Sequence, residues 1–316
     1  MSKEFGFDSS AEEVASDVDL RGETIVVTGG SAGLGVETTR VLASRGAKIV
    51  SIVRNRTKGE EAATRIRESV PDAEIELAEL DLSDLDSTRR GGDEIAGRFP
   101  KIDRLINNAG VMACPLGRTA QGLDLQLGTN HLGHFVLTAR LMGSLLAGGP
   151  QRIVNLSSGG HQISPFRFDD PLFEKEPYDK WLAYGQAKTA NILFSVGLDK
   201  RFGDRGLHAF AVHPGAIVTE LGRHLQSDDV EQLMSRRGGR KLKYKQLSQG
   251  AATSVWAATA TELEGRGGLY CEDCHVAQTM EEPGAGNGVM SYALDQAAAD
   301  RLWSLSEQWS GEIFPG

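Results

Sequence analysis

Short apolar runs alternate with longer segments of helical spacing from residue 23 onwards. Residues 24–27 form a β-branched run that ends in glycines, residues 36–44 repeat apolar positions at helical spacing, and residues 48–53 are again strand-like. A series of strand–helix–strand units with apolar strands predicts a parallel sheet covered by helices on both faces. Further helices are predicted at about 58–69, 85–98, 123–146, 181–202 and 250–260, and further strands at about 74–78, 104–107, 152–156 and 208–212.

This pattern predicts one doubly wound α/β domain of the Rossmann type over residues 21–316, with a ligand crevice at the carboxyl edge of the sheet. The regularity weakens after Pro214, and a polar, basic insertion at about 219–249 is expected to act as a mobile lid. Residues 1–20 form an N-terminal appendage, in which Ser9 and Glu12 have capping-box spacing and predict a short helix at about 10–15.

Composition narrows the classes of function. The 316 residues are 40% apolar and 24% charged, as in ordinary globular proteins, and the net charge of −9 argues against nucleic-acid binding. The one basic cluster, 236–245, is expected to be a solvated surface segment near a pocket. With no apolar run of about 20 residues and no signal peptide, a cytoplasmic protein without membrane contact is expected.

Three cysteines are too few, and odd in number, for a disulfide framework. Two of them form the Cys-x-x-Cys-His pattern of Cys271, Cys274 and His275, which lacks a second pair of zinc ligands. No metal site is therefore predicted.

The first strand leads directly into a glycine-rich loop and then into a helix. Glycines at this point let the backbone approach a pyrophosphate, while the helix N-terminus supplies N–H groups and positive potential. This predicts a dinucleotide site whose contacts come from Gly29, Ser31, Gly33, Leu34 and Gly35.

The end of the second strand distinguishes the two nicotinamide cofactors. An acidic residue there would hydrogen-bond the ribose hydroxyls of NAD, but this chain has Arg54 and Asn55. Arg54 offers charge-assisted hydrogen bonds to a 2′-phosphate, which favours NADP(H). NAD(H) stays open as the alternative, because a solvated arginine would give the same pattern.

The ends of the third and fourth strands supply the expected adenosine contacts. A carboxylate at Asp81 can accept from the adenine amino group, and Leu82 can pack on the ring face. Asn108, Ala109 and Gly110 follow the next strand, and a role for Asn108 in tying strands together is equally open.

Tyr184 and Lys188 lie four residues apart on a predicted helix, so both side chains share one face. A neighbouring ammonium stabilises a phenolate and lowers the tyrosine pKa from its ordinary value of about 10 toward the working range of a general acid/base. Alone, such a pair is common by chance. It gains weight from Ser158, which closes a strand at the ligand edge, and from a further turn that could hold a nicotinamide amide, formed by Pro214, Gly215, Ile217 and Thr219.

Together with the run Asn-His-Leu-Gly-His-Phe at 130–135, these motifs resemble the short-chain dehydrogenase/reductase family over about residues 20–277. The branch of retinol dehydrogenases and their bacterial relatives is the most similar. The resemblance implies that Tyr184 is the acid/base during hydride transfer and that Lys188 lowers the tyrosine pKa and binds the nicotinamide ribose. It further implies that Ser158 hydrogen-bonds the substrate oxygen, that Asn130 holds a water in a proton relay, and that the protein is a homodimer or homotetramer.

The chain departs from the family in two places. Many NADP-preferring relatives carry a basic residue inside the glycine loop, where this chain has Ser31 and Ala32, so Arg54 supports NADP largely alone. Many retinoid-acting relatives carry an apolar N-terminal anchor, and its absence here argues against a membrane-delivered substrate.

The expected activity is that of an alcohol dehydrogenase or carbonyl reductase acting on a bulky hydrophobic secondary alcohol or ketone, steroid- or retinoid-like, as in a hydroxysteroid dehydrogenase. An apolar pocket wall is predicted from Phe166, Phe168, Leu172, Phe173 and Trp181, with a core role equally open. His161 is expected to be a packed or hydrogen-bonded residue, and contact with substrate stays open as the alternative because it lies three residues after Ser158. Two alternatives remain: a non-catalytic NADP(H)-sensing regulator, which the intact Tyr-Lys-Ser set opposes, and a carbon–carbon double-bond reductase on the same scaffold.

Overall fold

A computed structural model of the chain describes residues 4–148, 151–223, 225–236, 242–283 and 287–315. Ten strands are seen in these ranges: Thr24–Thr28 (β1), Lys48–Val53 (β2), Ile75–Glu79 (β3), Arg104–Asn107 (β4), Gln151–Leu156 (β5), Leu207–His213 (β6), Leu269–Glu272 (β7), His275–Val276 (β8), Thr279–Met280 (β9) and Val289–Met290 (β10). The first eight form one sheet in the order β3-β2-β1-β4-β5-β6-β7-β8, parallel except for the last pair. This confirms the doubly wound Rossmann-type sheet.

Ten α-helical segments accompany the strands in the described ranges. They are Ala11–Val14 (α1), Gly33–Ser44 (α2), Arg56–Ser69 (α3), Leu85–Arg98 (α4), Leu125–Leu127 (α5), Gly133–Leu146 (α6), Lys180–Phe202 (α7), Ser227–Arg236 (α8), Leu247–Thr259 (α9) and Gln296–Ser310 (α10). None of the helices in this part of the chain is long and apolar enough to span a bilayer.

The strands send alternate residues into two separate hydrophobic clusters, as the period of a pleated strand requires. Ile25 and Val27 belong to the cluster that contains the α2 and α9 side chains, whereas Val26 belongs to the cluster formed with α4, α6 and α7. Burial on both faces explains why the central strands are apolar at most positions. It also leaves the carboxyl edge of the sheet as the place where polar groups converge.

The helix predicted at 123–146 is interrupted. A π-helical turn, Gly128–Leu132, separates α5 from α6, and hydrophobic periodicity does not register the residue that such a turn inserts. The elements β7 to β10 and α10 were also not predicted. Of these, β8, β9 and β10 have two residues each and are too short to show a period.

The N-terminal appendage folds against the domain. Its helix α1 is capped by Ser10 with Glu13, one residue later than the predicted Ser9 and Glu12. Within the insertion after Thr219 the structure describes α8, which the sequence pattern did not predict. Part of the expected basic cluster, 237–241, lies outside the described residues.

Candidate active site

A crevice of 1180 Å³ opens at the carboxyl edge of the sheet. Most of the residues predicted to bind a dinucleotide line it: Gly29, Ser31, Gly33, Leu34, Arg54, Asn55, Asp81, Leu82, Asn108, Ala109, Gly110, Pro214, Gly215, Ile217 and Thr219. Ser158, Tyr184 and Lys188 line it as well. Gly35 and Asn130 are buried beside the crevice and do not line it.

The glycine loop makes a turn that side chains would block. Gly29 has a φ of +74°, and a Cβ at Gly35 would overlap the Gly29 carbonyl and come within 2.7 Å of the Asn108 amide nitrogen. Asn108 itself donates a 2.8 Å hydrogen bond to the carbonyl oxygen of Thr28. Gly35 therefore serves the close packing of loop, helix and strand, while the other loop residues face the crevice.

The N-terminus of α2 fits a pyrophosphate. Ala32 occupies the cap position and provides no side-chain hydrogen bond, and the first turn carries no acidic residue. The first N–H groups of the helix are thus left for an anion, with the positive end of the helix dipole behind them.

Basic side chains surround the end of β2. Arg54 and Lys58 line the crevice together with Arg65, and of the described residues none forms an ion pair with Arg54 or Lys58. The next arginine, Arg56, pairs instead with Glu60 at 3.1 Å. The sequence analysis did not include Lys58 among the cofactor contacts. Its position four residues after Arg54, near the start of the following helix, could have indicated a second basic side chain at this place.

Two of the residues predicted to contact the cofactor, Asp81 and Asn55, are held by local hydrogen bonds. One oxygen of Asp81 accepts from the N–H and the hydroxyl of Ser83, at 2.9 and 2.7 Å. Asn55 caps α3 by accepting from the N–H of Lys58 at 2.9 Å. These contacts fix the two side chains at the crevice wall, and the second Asp81 oxygen has no hydrogen bond to the described residues.

Tyr184 and Lys188 share one face of α7, as the spacing predicted, and both are buried at 4% exposure. The Lys188 ammonium lies 5.7 Å from the centre of the Tyr184 ring and donates a 2.9 Å hydrogen bond to the carbonyl oxygen of Leu156, the last residue of β5. Ser158 follows two residues later, so one strand end positions both the lysine and the serine.

The structure contradicts the expected lowering of the tyrosine pKa. Burial raises the pKa of Tyr184 to about 12, and a hydrogen bond from Ser158 acts in the opposite direction. Burial also lowers the pKa of Lys188 to about 8. Burial affects the Tyr184 pKa more than the charge of Lys188 does, because the ammonium is hydrogen-bonded to the Leu156 carbonyl oxygen and not to the phenol oxygen. A protonated tyrosine at neutral pH is a proton donor.

The two neighbouring serines differ in their contacts. Ser157 is buried and its hydroxyl donates to the Lys188 carbonyl oxygen at 2.8 Å, a purely structural bond. The Ser158 oxygen accepts from the N–H of Gly160 at 3.0 Å, and its own O–H is hydrogen-bonded to Tyr184 at the crevice. The ring nitrogen of His213 accepts from the N–H of Gly159 at 3.1 Å and braces the same turn.

Asn130 lies in the π-helical turn with its amide fully engaged. Its side chain accepts from the N–H of Val111 at 2.8 Å and donates to the Val111 carbonyl at 2.9 Å. Its own carbonyl accepts from His134, whose other ring nitrogen bonds the Thr28 hydroxyl at 2.9 Å. Burial lowers the pKa of His134 to about 4, so this histidine is a neutral connector between β1 and the π-helical turn.

An apolar chamber surrounds Tyr184. Trp181 packs edge-on to the tyrosine, with ring centres 6.4 Å apart. Four partly buried side chains complete the chamber: Met112, Ile163, Leu225 and Leu233. Leu225 precedes α8, and Leu233 belongs to it. The indole N–H of Trp181 has no hydrogen-bond partner among the described residues.

For four of the five residues considered for the pocket wall, the structure shows the core role that the sequence left open. Phe166 packs in a core cluster with α7 and α10, Phe168 and Leu172 pack against it, and Phe173 packs on Tyr178. Only Trp181 of that set lines the crevice. The segment turns inward because α10, which the sequence pattern did not reveal, offers an apolar face to cover.

The helix α8 covers the chamber, and two ion pairs tie it to the start of α7. Lys180 pairs with the buried Asp229, and Arg236 pairs with Asp179, the residue that caps α7. The Lys180 hydrogen bond lowers the pKa of Asp229. These pairs fix the chamber's outer wall relative to Tyr184.

The cysteine pattern forms a tight antiparallel turn between β7 and β8. Asp273 and Cys274 both have positive φ, and the thiols of Cys271 and Cys274 are buried. In the described part of the chain, no three His, Cys, Asp or Glu side chains are grouped so that they could hold a metal.

Comparison with known proteins identifies the family. The model of the short chain dehydrogenase family matches residues 23–230. A probable oxidoreductase from Streptomyces lividans is 43% identical, with 90% of this chain and 97% of that protein covered, and retinol dehydrogenase 12 from Homo sapiens is 39% identical, with 92% and 87% covered. A crystal structure of an uncharacterised protein from Mycobacterium paratuberculosis aligns over 96% and 98% of the two chains with a TM-score of 0.74 and 34% identity. The chain belongs to the short-chain dehydrogenase family of oxidoreductases.

Proposed function

We propose that this protein is an NADP(H)-dependent carbonyl reductase, reversible as an alcohol dehydrogenase, that acts on a bulky apolar ketone or secondary alcohol. The observation that carries the proposal is the position of Tyr184. Its phenol lies where the dinucleotide crevice meets an apolar chamber, with Ser158 beside it and Lys188 one helical turn away. A proton donor at this junction can act on a substrate oxygen while an apolar body fills the chamber.

The crevice fits a nicotinamide dinucleotide, which would supply the hydride. The uncapped start of α2 would hold the pyrophosphate, and Asp81 and Leu82 would contact the adenine. The turn from Pro214 to Thr219 would hold the nicotinamide end, together with Lys188 at the ribose. Arg54 and Lys58 support a preference for the 2′-phosphate, because neither is neutralised by an ion pair with the described residues.

The chain's own residues supply the proton chemistry. Tyr184, protonated at neutral pH, donates its proton to the carbonyl oxygen as that oxygen gains negative charge. Ser158 donates a hydrogen bond to the same oxygen and orients it. Lys188 holds positive charge behind the phenol, and this charge favours the phenolate left after transfer.

The chamber favours an apolar substrate. Its apolar walls are formed by Trp181, Met112, Ile163, Leu225 and Leu233. Burial of a hydrophobic body there gains about 25 cal/mol per Å² of apolar surface, which a small polar alcohol cannot match. Steroid-like and retinoid-like carbonyl compounds have this character.

The direct test is a panel of ketones, aldehydes, secondary alcohols and enones, followed by NADPH and NADH absorbance and by product analysis. We expect the highest kcat/KM with bulky apolar ketones and NADPH, and secondary alcohols as products. Reduction of the carbon–carbon bond of an enone with its carbonyl left intact would favour a double-bond reductase. Tight NADPH binding without turnover of any compound would favour a sensor.

A further inference from the structure

His161 is a fully buried histidine near the catalytic residues that does not line the crevice. It has the packed, hydrogen-bonded role expected from the sequence, and the alternative of contact with substrate is not supported. Its ring lies 4.9 Å from that of Tyr270, centre to centre, and its carbonyl oxygen accepts a 2.6 Å hydrogen bond from the hydroxyl of Tyr292. Both tyrosines come from the C-terminal part of the chain, so His161 joins that part to the active site.

The hydrogen bonds of His161 determine its tautomer. Its Nε2 faces the backbone N–H of Met290 at 3.1 Å, and because a backbone N–H can only donate, Nε2 must accept. The proton then lies on Nδ1, which donates a 2.7 Å bond to the carbonyl oxygen of Ser158. Burial, which lowers the pKa of His161 to about 4, agrees with a neutral ring.

Ser158 is clamped by this arrangement. Its carbonyl oxygen accepts from both the backbone N–H and the Nδ1–H of His161, at 3.0 and 2.7 Å. Its side-chain oxygen accepts from Gly160 at 3.0 Å. Gly160 in turn packs on the Tyr184 ring so closely that a Cβ there would lie 2.7 Å from Cε1. The turn 159–163 thus couples the serine and the tyrosine sterically.

We propose that His161 is a positioning residue of the active site, a strut that transmits the placement of β10 to Ser158. The backbone of Met290 fixes one ring nitrogen, and the other fixes the Ser158 carbonyl. The strut uses groups from two remote parts of the chain, 129 residues apart in sequence. This inference rests on the proposed function, in which Ser158 and Tyr184 act on the substrate oxygen.

Two substitutions separate the ends of the strut. In His161→Asn the amide N–H takes the place of Nδ1–H and keeps the bond to Ser158, whereas in His161→Gln the amide oxygen takes the place of Nε2 and keeps the bond to Met290. We expect both variants to lower kcat, because each breaks one end of the connection between β10 and Ser158. His161→Gln, which frees the Ser158 carbonyl, should cost about 10-fold to 100-fold, and His161→Asn, which keeps that bond and loses Met290, about 3-fold to 10-fold. NADPH affinity, measured by fluorescence, should change by the same factor in the two variants, and Tm should change by the same amount.

A double-mutant cycle with Ser158→Ala supplies the decisive measurement. If His161 acts through Ser158, Gln at position 161 lowers kcat little further when the serine hydroxyl is absent, within about 2-fold. Equal kcat losses in the Asn and Gln variants that follow Tm, or a full Gln effect in the Ser158→Ala background, would overturn the proposal. Should the Gln variant not fold, Tyr292→Phe, which frees the His161 carbonyl, must show a kcat loss that Ser158→Ala abolishes.

The proposed function fails separately from this inference. An active Tyr184→Phe enzyme would remove the acid/base role itself. A dead Tyr184→Phe enzyme together with unaltered kcat in His161→Gln would leave the reaction in place and refute only the strut.

Discussion

The ammonium nitrogen of Lys188 donates a 2.9 Å hydrogen bond to the carbonyl oxygen of Leu156, the residue that ends β5. The lysine is therefore held by the sheet and not by the tyrosine ring, from whose centre it lies 5.7 Å away. Ser158, two residues beyond that carbonyl, is positioned by the same strand. The sheet edge thus sets the mutual placement of Ser158, Tyr184 and Lys188. Because the lysine is held by the sheet, the contribution of each residue to turnover can be measured by its own substitution.

Removal of the Tyr184 hydroxyl should stop turnover. With Tyr184→Phe we expect kcat to fall by about 10²-fold to 10⁴-fold, the range for loss of a general acid, with NADPH affinity nearly unchanged. Tyr178→Phe is the matched control, because the Tyr178 hydroxyl is bonded to Gln126 and the Cys114 carbonyl outside the crevice. It should lower Tm and leave kcat near the wild-type value. Turnover by the Tyr184 variant would refute the mechanism.

Carbonyl reduction should lose rate above about pH 8. The pKa of Tyr184, about 12, keeps the proton donor in place over the accessible range, whereas the pKa of Lys188, about 8, means that the ammonium charge is lost as the pH rises through that value. We expect a flat kcat below pH 8 and a decline above it. In Lys188→Arg, which stays charged, the decline near pH 8 should disappear; its persistence there would contradict the assignment to Lys188.

Cofactor preference should depend on Arg54 and not on Arg56. Arg54→Asp places a negative charge where a 2′-phosphate would bind, so the ratio of kcat/KM for NADPH over NADH should fall by at least about 10-fold. Arg56→Asp is the control, since Arg56 pairs with Glu60 and does not line the crevice. Equal shifts in both variants would indicate a general charge effect. Lys58→Ala should give a smaller shift in the same direction.

The ion pair between α8 and α7 should govern substrate binding. Asp229→Asn removes the charge that pairs with Lys180, which loosens the chamber wall formed by Leu225 and Leu233. We expect KM for an apolar ketone to rise about 3-fold to 30-fold, as for loss of a charge-assisted hydrogen bond, with NADPH affinity unchanged. The neighbouring Asp228 is exposed, and Asp228→Asn should have no effect. A KM unchanged in Asp229→Asn would show that this ion pair does not govern substrate binding.

Acid should destabilise the fold through its buried histidines. Burial lowers the pKa values of His131, His134 and His161 to about 3, 4 and 4, below the unfolded value of about 6.5. The unfolded state therefore binds more protons between about pH 6.5 and 4, and the free energy of unfolding should fall with decreasing pH by up to ~1.4 kcal/mol per unit for each histidine. Urea unfolding at pH 5 and 7 measures this.

A matched pair of variants assigns that slope. His131→Gln removes one buried titrating ring, and the pH dependence of the free energy of unfolding should decrease by about one third if the three histidines contribute equally. His275 is exposed, and His275→Gln should leave the slope as it is. A slope that does not change in His131→Gln would assign the acid sensitivity to other groups.

The sequence by itself determined the first six strands of the sheet, the family and the residues proposed to react. Strands buried on both faces must be apolar throughout, and helices between them must show a period of 3.6, so β1 to β6 and their helices were readable in order. The glycine loop and the Tyr184 and Lys188 pair were readable because their chemistry depends on spacing within one turn or loop. Family membership followed from the order of these local patterns along the chain.

Contacts between remote segments were decided only by the tertiary structure. The apolar wall shifted from the phenylalanines of 166–173 to residues around α8, because α10 covers the former. The tyrosine pKa moved upward because burial, which no spacing reveals, outweighs a lysine bonded elsewhere. The ring of His161 is oriented by a hydrogen bond from the backbone N–H of Met290, 129 residues later in the chain. Period and spacing encode neighbours within an element, whereas desolvation and long-range packing arise only when the elements assemble.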